Sequence, residues 1–293
     1  MQAQSVAELL KSREPGLLVE IVPIRTRADN LQNVAIVELG GKGVFVKEIE
    51  TELLNGGVDI AVHSMKDVPA ELPPGLEMVA YPEREDPRDV LVTRGNVKFE
   101  ELRRGARIGT GSLRRRMQLL NAMPDLAIVP LRGNIMTRIK KIETDKLDGI
   151  ILAAAGMRRM GWHNLVSQYL DPDLMVPAAG QGVLGIEIRA DDDDLRERLL
   201  FLNHEETVLE IKAERAFLRR LGGGCQVPIA GFARFQGRML KIRGIVGTPD
   251  GRTLIDDTVR GGRDEVEKMG EALADSLIEK GAGEILAIEY VNC

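Results

Sequence analysis

The stretch ARIGTGSLRRRMQLL, residues 106–120, decides the fold class. It opens as an apolar run, passes through the small and polar residues of GTGS, and continues as a helix-like stretch. Three other segments repeat this grammar: VDIAVHS (58–64) leads to MKDVP, LAIVPLRG (126–133) to NIMTRIKKI, and DGIILAAAG (148–156) to MRRMG. Near-continuous apolar strands alternating with helices read as a parallel sheet covered on both faces, an α/β architecture. LLNGGVDIAVHSMKD and ETDKLDGIILAAAGMRR share a loose pattern of helix end, Asp, buried strand and basic residues, which suggests two similar lobes. EREDPRD (83–89) and VPAAGQG (176–182), rich in Pro, Gly or charge, are the linkers; two crossings between two lobes make a hinged cleft.

The last ninety or so residues change character. FARFQGRMLKIRGIVGTPDGRTLIDDTVRG alternates in short strands with a PDG turn, and a helix is expected near 204–221. DEVEKMGEALADSLIEKG places Val266, Met269, Leu273 and Leu277 on one face and stops at Gly281, so this part reads as a small α+β domain.

At 293 residues, 44% of them apolar, the chain can bury a core spanning two or three domains. No window approaches the roughly 18 apolar residues of a membrane span, and MQAQSVAELL is no signal peptide, so the expected address is the cytoplasm. Cys225 and Cys293 are too few for a disulfide framework. A net charge of −5 argues against a general nucleic-acid binder, so any anion site must be a local concentration of cations.

Those cations stand at the strand ends, where an α/β sheet binds its ligands. Lys66 follows the first strand, Arg114 and Arg115 the second, Arg132 and Arg138 the third, Arg158 and Arg159 the fourth. Arginines at a helix N-terminus oppose the helix dipole, so something negative should compensate Arg114 and Arg115. With Ser112 and the backbone of the TGS turn they form a receptor for carboxylate or phosphate, unless they are merely solvated surface charge. Two readings stand for Asp67: a turn cap or partner of Lys66, and a carboxylate that stabilises a developing cation. His63 is a core-facing histidine on the plain reading, and with His163 and His204 it offers no metal spacing, so no metal is expected. Cys225 is either a small buried hydrophobe or, after three glycines and near Arg219 and Arg220, an exposed thiolate used as a tether.

GGGCQVPIAG, AVHSMKDVP, GTGSLRRRMQLL, LRGNIMTR, VPAAGQGVLGIE and EREDPRDVLV together resemble the porphobilinogen deaminase (hydroxymethylbilane synthase) family over nearly the whole chain. The resemblance implies two periplasmic-binding-protein-like lobes and a third, small α+β domain: 1–84 with 183–203, 88–176, and 204–293, with hinges at 83–89 and 176–182. It implies a transferase of haem and tetrapyrrole biosynthesis that joins four porphobilinogen molecules head to tail with loss of ammonia. Each aminomethyl group leaves an electrophilic azafulvenium, attacked by the free α-carbon of a chain rooted on a dipyrromethane, and hydrolysis releases hydroxymethylbilane. The dipyrromethane is the cofactor, held by a thioether to Cys225. Asp67 is the implied catalytic residue. Lys66, Ser64, Thr110, Ser112, Arg114, Arg115, Arg132, Asn134, Arg138 and Gly156 are implied to hold the cofactor, and Phe45, Arg132, Arg138, Arg159 and Gln181 the substrate. The only implied partner is porphobilinogen, to a monomer that binds neither nucleic acid nor membrane.

The family pattern begins with a strand ending in an Arg and a Ser that serve the site, whereas MQAQSVAELL matches the helix after it. The first-domain sheet is therefore expected to lack that strand, unless the start codon is assigned too late, and a truncated inactive form is one alternative. Another class of reading is a two-lobed carboxylate-binding or effector-sensing protein, which leaves Cys225 and Asp67 idle. A third, a cysteine-dependent acyltransferase, needs a base beside the thiol.

Overall fold

The computed structural model describes residues 1–26, 43, 46–223 and 227–291. The described strands are β1 (Ala61–Ser64), β2 (Leu76–Ala80), β3 (Asp89–Thr93), β4 (Arg107–Gly109), β5 (Ala127–Val129), β6 (Gly149–Ala153), β7 (Gln168–Tyr169), β8 (Leu184–Arg189), β9 (Ile229–Gln236), β10 (Met239–Gly247) and β11 (Leu254–Gly261). They form three sheets, with orders β1-β8-β2, β5-β4-β6-β3-β7 and β11-β10-β9. The chain is mixed α/β, as its alternation of apolar runs and helices predicts.

The central sheet is covered on both faces because its strands are apolar at successive positions. Val90, Val92, Ile150 and Leu152 pack to one side, and Leu91, Ile108 and Ile151 to the other. The expectation of a parallel sheet needs correction. β4 pairs in parallel with β5 and β6, each connection passing through a helix, Leu113–Ala122 or Ile135–Thr144. β3, however, runs antiparallel to β6 and β7, and in the first sheet β8 is antiparallel to both neighbours. β3 enters directly from the first crossing with no helix to turn it round, so its first residue, Asp89, lies opposite Ala153 at the end of β6. Reversal thus places a strand beginning beside the carboxyl ends of the parallel strands. The first sheet does the same: Leu184, leaving the second crossing, pairs with Ser64 at the end of β1. The segment after β1 is a single 3-10 turn, Met65–Asp67, rather than a longer helix.

The third sheet is an antiparallel meander closed by two helices, Glu205–Arg220 and Val266–Leu277. Gly231 and Gly244 lie directly opposite each other in the β9–β10 register, and side chains there would collide with the ring of Phe217. The two glycines make the slot in which that ring is wholly buried. Val266, Met269, Leu273 and Leu277 are buried as their spacing predicts. The chain does not end its helical course at Gly281: that residue takes φ +100, and a further helix runs over Gly283–Val291.

Candidate active site

The two crossings converge between the sheets. Glu85 N–H donates to Gly182 O at 3.1 Å, and Arg84 Nε donates to Gln181 O at 3.0 Å. Gly180, with φ +74, lies so near the turn after β1 that a Cβ would stand 2.8 Å from Met65 C and 2.9 Å from Lys66 N. Only glycine satisfies both the dihedral and the approach. The charges of the linker motifs are not solvated. Arg84 is buried, and its Nη1 and Nη2 reach Glu214 at 2.7 and 3.2 Å. The Glu214 carboxylate also accepts from Gly180 N at 2.6 Å and from Ala233 N at 2.8 Å. One carboxylate of the helix Glu205–Arg220 therefore ties both crossings to β9.

Asp89 supplies the compensation that Arg114 and Arg115 require. It is fully buried and accepts from Arg115 Nε at 3.1 Å and Nη2 at 2.8 Å, and from Gln181 Nε2 at 3.0 Å. Arg114 Nη1 stands 2.7 Å from Oδ2, an ion contact off the hydrogen-bond direction. The arginines also donate to backbone, Arg115 Nη1 to Ile151 O at 3.1 Å and Arg114 Nη1 to Val176 O at 2.7 Å. Burial pushes the Asp89 carboxyl up, but the charges of Arg114 and Arg115 outweigh it and hold it well below the usual carboxylate range.

Lys66 and Asp67 form the 3-10 turn at the end of β1. Burial raises the Asp67 carboxyl, against the charges of Lys66, Arg138, His63 and Arg115. Burial lowers the Lys66 ammonium, Asp67 and Asp89 opposing this and Arg115 and Arg114 adding to it. The Arg138 guanidinium is pulled down by burial and then by Arg115 and Arg132. The turn of one sheet and two helices of the other thus bring Lys66, Asp67, Arg114, Arg115, Arg132 and Arg138 into one electrostatic cluster. Among the described residues, the hydrogen bond Arg138 makes with its side chain is from Nε to Gly133 O, at 2.6 Å. Its two terminal nitrogens have no protein acceptor there, which fits a ligand carboxylate.

The other expected site residues fall differently. Ser112 caps its helix, accepting from Arg115 N, and Thr110 Oγ1 accepts from Ser112 N at 3.2 Å. Asn134 is exposed and caps the next helix, accepting from Thr137 N at 2.9 Å. Ser64 Oγ accepts from Gln2 Nε2 at 2.8 Å. Gly156 lies under Ile135, where a Cβ would meet Cδ1 at 2.8 Å. Arg158 is exposed and pairs with Glu85 at 2.8 Å, and Arg159 Nη2 reaches Gly182 O at 3.5 Å, so the fourth strand end faces the crossings. Gln181 is buried, its Nε2 donating to Pro87 O at 2.7 Å as well as to Asp89, which makes it a member of the crossing rather than a wall of the cleft. Arg220, considered as a neighbour for the thiol, pairs with Asp275 at 2.6 Å. Cys225 and Phe45 lie outside the described residues. Sequence reasoning missed Asp89, Arg84 and Glu214. The available signal for Asp89 was an acid directly before an unbroken apolar run.

Comparison with known proteins follows the same lines. Residues 1–197 match the family described as "Porphobilinogen deaminase, dipyromethane cofactor binding domain", and residues 208–279 match "Porphobilinogen deaminase, C-terminal domain". The chain is 51% identical over 285 residues to the porphobilinogen deaminase of Syntrophus aciditrophicus, covering 97% of this chain and 93% of that one. It is 50% identical over 289 residues to that of Geobacter metallireducens, covering 99% and 91%. Among solved structures, the periplasmic VFT2 domain of Bordetella pertussis BvgS overlaps 68% of this chain and 75% of its own at a TM-score of 0.41 and 16% identity, too loosely to bear on the site. With both parts of the chain matched, and half the residues identical across nearly the full length of its relatives, the chain belongs to the porphobilinogen deaminase family.

Proposed function

We propose that the cleft edge formed by the turn Met65–Asp67 and the helices Leu113–Ala122 and Ile135–Thr144 carries out the family's reaction, with Asp67 as its catalytic residue. The reaction condenses four porphobilinogen molecules head to tail. Each condensation breaks one carbon–nitrogen bond, releases ammonia, forms one carbon–carbon bond and returns the α-carbon proton to solvent; water closes the sequence by releasing hydroxymethylbilane. When bound, the dipyrromethane supplies the nucleophilic α-carbon and a thioether root at Cys225. The cationic cluster is of the right chemistry for it, because pyrroles bearing acetate and propionate groups bring carboxylates to Arg138, Arg132 and Lys66.

The observation that carries this reading is the setting of Asp67. Its carboxyl is drawn out of water while Lys66, Arg115 and Arg138 stand close enough to favour its ionised form. A carboxylate so placed stabilises the positive charge that develops on a pyrrole as ammonia leaves, and water exclusion strengthens the effect. Arg115 and Arg138 orient the ring through its carboxylates; Arg114, fixed by Asp89 and Val176, holds the helix N-terminus against the crossing. Ser64, Thr110, Ser112, Asn134 and Gly156 shape the walls around the cofactor, and Arg159 the substrate side. Gln181 belongs to the hinge through which the lobes adjust as the chain of rings lengthens.

The domain division proposed with this function is 1–84 with 183–203, 88–176, and 204–293, supported by the confinement of each sheet to one of these spans. No helix among the described residues is long and apolar enough to cross a membrane. The proposal includes a cytoplasmic monomer whose partner is its small-molecule substrate.

Asp67→Asn tests the reading. The intact protein should still carry the mass of a dipyrromethane on Cys225, at least in part, while turnover falls about 100-fold or more. Near-normal turnover by the loaded variant would remove Asp67 from the chemistry.

A further inference from the structure

Three ionisable side chains that the reaction does not use lie behind the Lys66–Asp67 turn. His63, on β1, is 4% exposed, and Glu187, on β8, is wholly buried; His63 Nε2 stands 2.8 Å from Glu187 Oε2. The register explains the contact. His63 is opposite Gly185, so Glu187 is its diagonal neighbour on the same face, and no side chain stands between them. Glu187 Oε1 is buried with no hydrogen-bond partner, so the imidazole is the group that compensates this carboxylate. The third residue, Glu50, comes from the helix Lys47–Leu54 and is 7% exposed. Burial pushes its carboxyl up, Glu187 adds to the rise, and His63 opposes it.

A buried carboxylate with half its acceptors unmet is costly unless a cation answers it. Nothing in the family's chemistry as derived above needs an acid at this depth. The strand that carries the histidine, however, runs straight into the turn that carries Asp67.

We propose that the buried His63–Glu187 pair is a positioning unit for Asp67, an imidazole fixed by one carboxylate so that its charge is held within reach of another. The proposal rests on the reading of Asp67 as the catalytic residue. Asp67 is faced by Lys66 from its own turn, by Arg115 and Arg138 from the helices of the central sheet, and by His63 from β1. The pair itself is faced by Glu50 from the helix Lys47–Leu54 and by Arg215 from the helix Glu205–Arg220. Of these groups, His63 is the one whose charge depends on a buried partner of its own. Removing the Glu187 charge takes away what favours the protonated ring, and removing the ring takes away the charge itself. Both leave Asp67 with one positive neighbour fewer, so it holds its proton to higher pH.

The test is the pH dependence of kcat/KM of the loaded enzyme, compared with His63→Gln, Glu187→Gln and the double variant. The reaction needs the Asp67 carboxylate, so activity falls as pH drops through its titration. Each single variant should move this acid limb to higher pH by about half a unit or more, with the alkaline plateau kept within about threefold. The double variant should move it no further than the larger single shift, because the two changes remove one charged unit. Glu187→Gln keeps the side chain's shape and carries the test if His63→Gln does not fold. Loaded variants with an unmoved or lowered acid limb overturn the proposal, since a purely structural role would lower stability without displacing the limb. Asp67→Asn, run beside them, separates the two failures. Normal turnover there sinks the reading of Asp67, whereas a crippled Asp67→Asn with unmoved limbs in the others sinks the positioning role alone.

Discussion

Arg115 and Arg138 both stand at the carboxyl ends of parallel strands and both follow an N-cap, yet they are held in opposite ways. Arg115 is 6% exposed and gives Nε and Nη2 to Asp89 and Nη1 to Ile151 O. Arg138 is half-buried and gives only Nε, to a backbone carbonyl, among the described residues. Arg115 has its counter-charge within the chain; Arg138 has like-charged neighbours, Arg115 and Arg132, that disfavour its own charge. A cation answered from inside fixes the shape of the edge. A cation left with unmet donors beside other cations is the part of the edge that can receive a ligand's carboxylate. The sequence places the two on equal terms, and the difference comes from Asp89 alone.

The sharpest way to break this comparison is Arg115→Ala. It strips Asp89 of two of its three hydrogen bonds while leaving the carboxylate buried, and an uncompensated buried charge costs about 3–5 kcal/mol. Denaturant unfolding should show a loss of that order at neutral pH, together with poor loading of the cofactor. A loss under about 1 kcal/mol would mean that Arg114 and Gln181 suffice, and that Arg115 is no more structural than Arg138.

Acid offers a second test of the same contact. The Asp89 carboxyl titrates well below its ordinary value in the folded chain and near about 3.9 in the unfolded one. Its stabilisation is therefore fully present above about pH 4 and is lost as pH falls toward the folded-state value. Between about pH 4 and pH 2, Asp89→Asn should show a shallower decline in unfolding free energy than the parent, after starting from a lower value at pH 7. Parallel slopes would remove Asp89 as the acid that holds the arginine pair.

That contact also marks where the sequence stops being readable. DVLV and GIILA are buried on both faces, so their apolar runs look the same whichever way the strands run, and periodicity is blind to direction. The reversal of β3 had to be seen, and with it the arrival of Asp89 beside arginines 25 and 26 positions away in the chain. Cations at strand ends were legible because they follow each apolar run directly. The helix Val266–Leu277 was legible from its apolar spacing, whereas glycines at 281 and 283 read as a terminus and hid the helix that restarts after them. Arg84 and Glu214, 130 positions apart, carry no local signal that they meet; in a stretch of alternating charge, a buried arginine looks like a solvated one. The role of Cys225 was legible only through resemblance, because three glycines and a thiol fit a mobile tether and a small buried hydrophobe equally well.

Arg138→Ala is the gentlest change for folding and the most informative about the ligand. The residue makes one described side-chain hydrogen bond, to Gly133 O, and its removal relieves repulsion with Arg115 and Arg132. Unfolding free energy should therefore stay within about 1 kcal/mol of the parent, and a slight gain is the direction the charges favour. Function should respond in the other sense. A charge-assisted hydrogen bond is worth about 1.5–3 kcal/mol, so losing the guanidinium should slow dipyrromethane attachment or raise KM by about 10- to 100-fold. Intact mass reports the first and steady-state kinetics the second. If stability falls by as much as in Arg115→Ala while loading and KM are unchanged, Arg138 is another internally compensated cation, and the ligand's carboxylates must be received elsewhere on the edge. If stability holds and loading fails, the two arginines divide the work as their partners imply: one shapes the N-terminus of its helix, and the other waits for a charge the chain does not contain.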